Sequence, residues 1–284
     1  MREGYPPDTL SDLAIIVLTM LVGVATGVLS GMFGVGGGVI STPAIRALGA
    51  TPVAAVASTL PAIIPGAISG ALRYRRDELV DVQVASWTAG FGIFAAVGGA
   101  LLVDVIPGDG HPLMFLTAVL IAFSAYRLGR PPADESPADV TIEGMTDAGP
   151  SAEVVRVGAQ RRAWWRFGLI GLGAGVLSGL LGIGGGLIMV PAFTGWVRLP
   201  IKAALGTSLA CVAVLAVPGT ITHAALGNID WLYALPLCIG IVPGARIGSH
   251  LAIRSSDRAL RLIVSIGLGT LATAYAIGEV LAVI

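Results

Sequence analysis

The sequence predicts an all-α polytopic membrane protein built as two inverted repeats. Each repeat holds about five helical elements, with short broken or re-entrant helices after glycine turns. Three observations carry this. First, 55% of the 284 residues are hydrophobic and only 12% are charged, against about 25% charged in soluble domains. Second, apolar runs recur at the ~20-residue length that crosses a bilayer: Leu13–Leu29, Val53–Leu72, Val82–Val103, Ala203–Leu226, Trp231–Ile253 and Leu260–Ala276. Third, "GVLSGMFGVGGGVISTPAI" at 27–45 returns as "GVLSGLLGIGGGLIMVPAF" at 175–193. Alternation of the membrane-barrel kind is absent from the sequence.

The elements follow in order. The first run lacks a basic leader, carrying Arg2, Glu3, Asp8 and Asp12 before it. It also feeds directly into the glycine phrase, so it reads as a retained helix rather than a cleaved signal. The two phrases share 12 of 19 positions, and five more exchange one apolar residue for another. Pro65-Gly66 answers to Pro218-Gly219, and "VGGALL" at 97–102 to "IGSHLA" at 247–252. A repeat of this length is a duplication. Each half therefore reads as a long helix, a glycine turn, a short segment (Val39–Leu48 or Leu187–Trp196) and three spanning helices. Ten helical residues rise only about 15 Å against a core of about 30 Å. The polar, acidic, proline-bearing stretch between them reads as a flexible linker. The expected domains are 1–128, a linker at 129–162, and 163–284.

Charge sets the expected orientation. With odd parity in each half (five crossings, or three plus a re-entrant pair) and the linker in the cytoplasm, fourteen of the 17 Lys and Arg fall inside. Two, Arg2 and Arg46, fall outside, and Arg246 lies within a span. Even parity gives ten against six. The positive-inside rule selects the first arrangement, with both termini outside.

The glycine phrase is the candidate site. Gly34, Gly36, Gly37 and Gly38, with Gly182, Gly184, Gly185 and Gly186, can take positive φ and expose amides without side-chain obstruction. Non-helical backbone inside a membrane must line a cavity or meet protein. The short helix after each turn then points its positive end at the turn, an arrangement that attracts anions. Ser30, Ser178, Ser58, Thr59, Thr207 and Ser208 add nearby hydroxyl donors. The competing reading gives these glycines to close helix packing alone. With no Gly-Lys-Ser/Thr, a nucleotide loop is not indicated.

Arg246, in "VPGARIGSH", is intramembrane and has two readings, a cation facing a cavity or one snorkelling to the interface. Its counterpart in the first half is Ala96. His250 lies one helical turn further, and His223 near a helix end; lone histidines more often pack or hydrogen-bond than carry protons. Cys211 and Cys238 sit in apolar segments and read as packing residues. A metal cluster, a nucleophile–base pair and a cofactor motif are all lacking from the sequence, so neither an enzyme nor a cofactor is expected. A net charge of zero offers nothing to nucleic acid.

The doubled phrase resembles the sulfite exporter TauE/SafE family of membrane permeases over both halves, and "PGARIGSHLA" is similar to that family's Gly-Ala-x-x-Gly segment. The first half reads "FAAVGGALL" there and lacks the arginine. The resemblance implies transport of small sulfur-containing or organic anions, such as sulfite or sulfonates, across the plasma membrane. The expected function is thus a secondary transporter of small anions, an exporter, with a small anionic solute and lipid as partners and a homo-oligomer left open. The alternatives are an anion channel using the same turns as a filter, and a non-transporting membrane scaffold.

Overall fold

The computed structural model describes residues 9–102, 111–129 and 164–283; the expected linker beyond Gly129 lies outside them. The described residues form ten helices: α1 (Thr9–Phe33), α2 (Gly38–Ala47), α3 (Pro52–Arg76), α4 (Val82–Leu102), α5 (His111–Gly129), α6 (Trp164–Leu181), α7 (Gly186–Gly195), α8 (Ile201–Ala225), α9 (Trp231–Arg254) and α10 (Asp257–Val283). Five elements stand in each half, as the repeats require. Five helices, α1, α3, α4, α8 and α9, are long and apolar enough to cross a membrane. Large apolar side chains on the outside, such as Phe94 (81% exposed) and Ile239 (65%), suit lipid contact and would be costly in water.

Helix starts are set locally. Thr51 accepts from the Ala54 amide at 3.3 Å to open α3. Asp81 accepts from Val84 at 3.0 Å to open α4, and Asp230 from Leu232 at 3.0 Å to open α9. These side chains satisfy amides that have no partner within the helix.

The halves interlock. The most extensive contacts join α1 to α9 and α4 to α6, each pair drawn from opposite halves. Glycine makes this possible. A methyl at Gly23, Gly27 or Gly31 of α1 would strike the α9 backbone at Leu237, Ile241 or Ala245. Gly240, Gly244 and Gly248 meet Met20, Val24 and Val28 in return. On α6, Gly171, Gly175 and Gly179 sit on the carbonyls of Thr88, Gly92 and Ala96. Small residues four apart let membrane helices approach backbone to backbone.

The order of contacts along these pairs gives direction. Numbers rise together for α1 with α9 and for α4 with α6, so each pair is parallel. They also rise together for α3 with α9 (Gly66 by Ile241, Ser69 bonded to Val242) and for α4 with α8 (Ala85 bonded to Cys211, Gly92 by Leu215). Between α3 and α8 they run oppositely: Leu60 faces Gly219, Leu209 faces Gly70, and Tyr74 faces Gly206. Hence α1, α3 and α9 point one way, and α4, α6 and α8 the other. A matching pair of hydrogen bonds ties the halves: the Asp230 amide donates to Ser58 at 2.9 Å, and the Asp81 amide to Thr207 at 3.0 Å.

Basic residues gather at one end. The C-termini of α3 and α9 bring Arg73, Arg75, Arg76 and Arg254 there. The antiparallel α8 begins there with Lys202, which pairs with Asp257 of α10 at 3.4 Å. Arg46, in the last turn of α2, lies at the opposite end, where Tyr233 donates to the Leu48 carbonyl at 3.1 Å.

Candidate functional site: paired glycine turns

After α1 the chain takes positive φ at Gly34 (71°), Gly36 (88°) and Gly37 (94°); after α6 it does so at Gly182 (64°), Gly184 (80°) and Gly185 (70°). Such angles favour glycine. The predicted turns are therefore real, and the six glycines have a conformational reason. Gly38 and Gly186 have a steric one. A methyl at Gly38 would collide with the Gly182 carbonyl, and one at Gly186 would lie 2.5 Å from the Gly34 carbonyl. The two turns touch.

They touch at mid-depth. Gly36 and Gly184 both face Ile63 and Val212, which lie at the midpoints of α3 and α8. From there α2 reverses. Gly37 lies against Thr26 and Ser30 of α1 and Ile241 of α9, while the far end of α2 reaches Tyr233, eight residues earlier on α9. The short helix thus turns back towards the side from which α1 came. Neither α2 nor α7 carries a side-chain N-cap, and neither has an acidic residue in its first turn. Two positive helix ends consequently meet without a protein counter-charge.

The hydroxyls divide. Ser208 donates to the Gly34 carbonyl at 2.8 Å and belongs to the first turn. Ser178 donates to Leu215 at 3.4 Å. Thr59 donates to Val56 at 2.8 Å and lies 3.4 Å from the Thr42 hydroxyl of α2. Thr207 and Ser58 are taken up by the inter-half bonds just described. Ser30 is 2% exposed, and its hydroxyl has no hydrogen-bond partner. Thr26, which the sequence does not single out, is fully buried and likewise has none. Its only sequence signal is its place one turn before Ser30 on the same helix face.

Arg246 is placed apart from the turns. Ile241 points at Gly37, and five residues on the helix has swung through about 140°. The Arg246 side chain is exposed and donates from Nε to Ser69 at 3.1 Å. Arg73, paired with Asp77 at 2.6 Å, lies 3.4 Å from His250 Nδ1. This cationic group sits near the basic end and suits the snorkelling reading.

Around the turns the packing is apolar. Val35, Ile63, Ile183 and Val212 are all at most 4% exposed. A small apolar crevice beside Gly185 is lined by Leu120, Leu177, Leu181, Ile183, Leu187 and Ile188. Among the described residues no group of three His, Cys, Asp or Glu could hold a metal.

The doubled turns coincide with a family pattern. The sulfite exporter TauE/SafE family model matches residues 19–275. The chain belongs to that family. Relatives cover nearly the whole length. The probable membrane transporter protein YunE of Bacillus subtilis is 26% identical over 88% of this chain and 93% of its own. A probable membrane transporter protein of Xylella fastidiosa is 28% identical over 85% and 86%. The probable membrane transporter protein MJ0441 of Methanocaldococcus jannaschii is 24% identical over 91% and 94%. No solved structure matches. Both glycine turns, and all the hydroxyls discussed, lie within the TauE/SafE match.

Proposed function

We propose that the protein is a secondary transporter that exports small anions, such as sulfite, sulfonates or related organic anions, across the plasma membrane. The halves act as inverted repeats, with the linker cytoplasmic and both termini outside. One observation carries the reading: two uncapped helix N-termini converge at mid-depth, between α3 and α8. Each helix end carries about half a positive charge. Two together, in a low-dielectric interior, favour an anion strongly.

The directions of the helices support the inverted arrangement, because α1, α3 and α9 oppose their counterparts α6, α8 and α4. Inverted repeats with broken helices meeting at the midplane are a secondary-transporter architecture. The gathering of basic residues at one end supports the orientation. Close packing of Val35, Ile63, Ile183 and Val212 at the turns suits a carrier in its occluded state better than an open filter. Alternating access then requires the two halves to rock so that the turns part and a solute reaches their amides.

Flux of labelled sulfite and methanesulfonate in proteoliposomes tests this. Saturable uptake with counterflow is expected. Non-saturating conductance moves the reading to a channel, and folded protein that passes neither anion overturns it.

A further inference from the structure

We infer that the site is asymmetric: the first glycine turn recognises the solute, through the hydroxyls of Thr26 and Ser30 on α1. This rests on the transporter reading and adds to it which turn binds and by which donors.

Hydroxyls inside membrane helices commonly donate to the carbonyl one turn back. Here Ser249 does so to Ala245 at 2.7 Å, Thr220 to Ala216 at 2.8 Å and Thr222 to Pro218 at 3.0 Å. Thr26 and Ser30 do not, although both are buried. An unpaired buried hydroxyl is costly, so its retention needs a reason. Their place supplies one. The Thr26 methyl and the Ser30 Cβ both face Gly37, the left-handed, uncapped residue that opens α2, and each hydroxyl is borne on or next to the facing carbon. Helix dipole, free amides of the first turn and two unspent O–H donors thus share one corner.

The second half lacks this set. Its equivalent of Thr26 is Ala174, which meets Gly185 through its backbone carbonyl and Cβ where Thr26 meets Gly37 through its side-chain methyl. Its equivalent of Ser30, Ser178, is already bonded to Leu215. Ser41 and Thr42 of α2 become Met189 and Val190 in α7. Thr19, fully buried and also unpaired, continues the α1 stripe about 16 Å from Ser30, towards the end bearing Arg46. The occupant is an anion rather than a metal cation, because the converging helix ends are positive and no carboxylate stands in the first turn of α2.

The test uses purified full-length protein, with sulfite and methanesulfonate as probes. Thr26→Val and Ser30→Ala should leave the anion-free protein at least as heat-stable as the wild type, since each removes an unpaired polar group. Each should weaken anion-induced thermal stabilisation and raise the KM for flux roughly tenfold, the worth of one hydrogen bond to a charge. Thr220→Val, which removes a hydroxyl already bonded within α8, should change neither by more than about twofold. If Thr26→Val and Ser30→Ala keep wild-type affinity while Gly37→Ala abolishes flux, the turn still binds and this assignment falls. A larger effect from Ser178→Ala than from Ser30→Ala reverses it. Wild-type protein that neither binds nor moves either anion refutes the transporter reading, and this inference with it.

Discussion

Glycine has two separate duties at the turns and none at some exposed positions, and single residue swaps tell these apart. Gly37 needs its backbone angle, Gly38 needs its missing side chain, and Gly98 needs neither. A left-handed angle costs an L-residue about 1–2 kcal/mol, and overpacking a tight contact adds about 1–3 kcal/mol. Gly38→Val, aimed at the Gly182 carbonyl, should therefore lower the melting temperature and stop flux together. Gly98 of α4 is exposed, and a methyl placed there would meet nothing within 4 Å. Gly98→Ala should stabilise by about 0.5–1 kcal/mol through helix propensity alone, with flux unchanged. Thermal melts and flux on both variants check the contrast; equal effects would remove the distinction. The sequence alone exposed the turn glycines because they are consecutive and doubled. It hid Thr26, since a lone threonine in an apolar run looks like any other packing residue until its missing partner is seen.

At the scale of elements, the glycine phrase both packs helices and makes turns, at different glycines. Gly27 and Gly31, with Gly175 and Gly179, pack helices across the halves, whereas the later glycines of each phrase make the turns. The short helices were legible because ten residues cannot span and a proline follows a glycine run. The partnering of α1 with α9 was not legible, since small-residue faces are mutually compatible and nothing local says which will meet. Gly27→Leu should separate α1 from α9, and the loss of thermal stability should exceed that of Gly173→Leu on α6, which meets nothing within 4 Å. Tyrosines fix the ends of these elements: Tyr74 donates to Gly31 at 3.0 Å and Tyr275 to Val39 at 2.6 Å. Tyr74→Phe leaves the Gly31 carbonyl without this donor. It should cost about 1–3 kcal/mol, read as a lower melting temperature with little change in expression.

For the whole molecule, the decisive quantity is the sign of each end. The proposed inversion of the halves would place the same elements on opposite faces, leaving charge to distinguish the faces. The count from sequence had to assume a parity for the short helices. The contacts bear on it: α3 and α8 run oppositely, and the ends of α3 and α9 join the start of α8 in one basic rim. Positive residues resist translocation, so that rim should face the cytoplasm. Ala47, exposed at the far end of α2, and Arg254, exposed at the end of α9, lie on opposite faces. In intact cells an impermeant thiol reagent should label Ala47→Cys directly and Arg254→Cys only after permeabilisation. Cys238→Ala in the background removes the less buried native thiol. Labelling in the opposite order would turn the molecule over in the membrane. The paired turns would keep their chemistry, but the Thr19–Thr26–Ser30 stripe would then lead from the first turn to the cytoplasmic side.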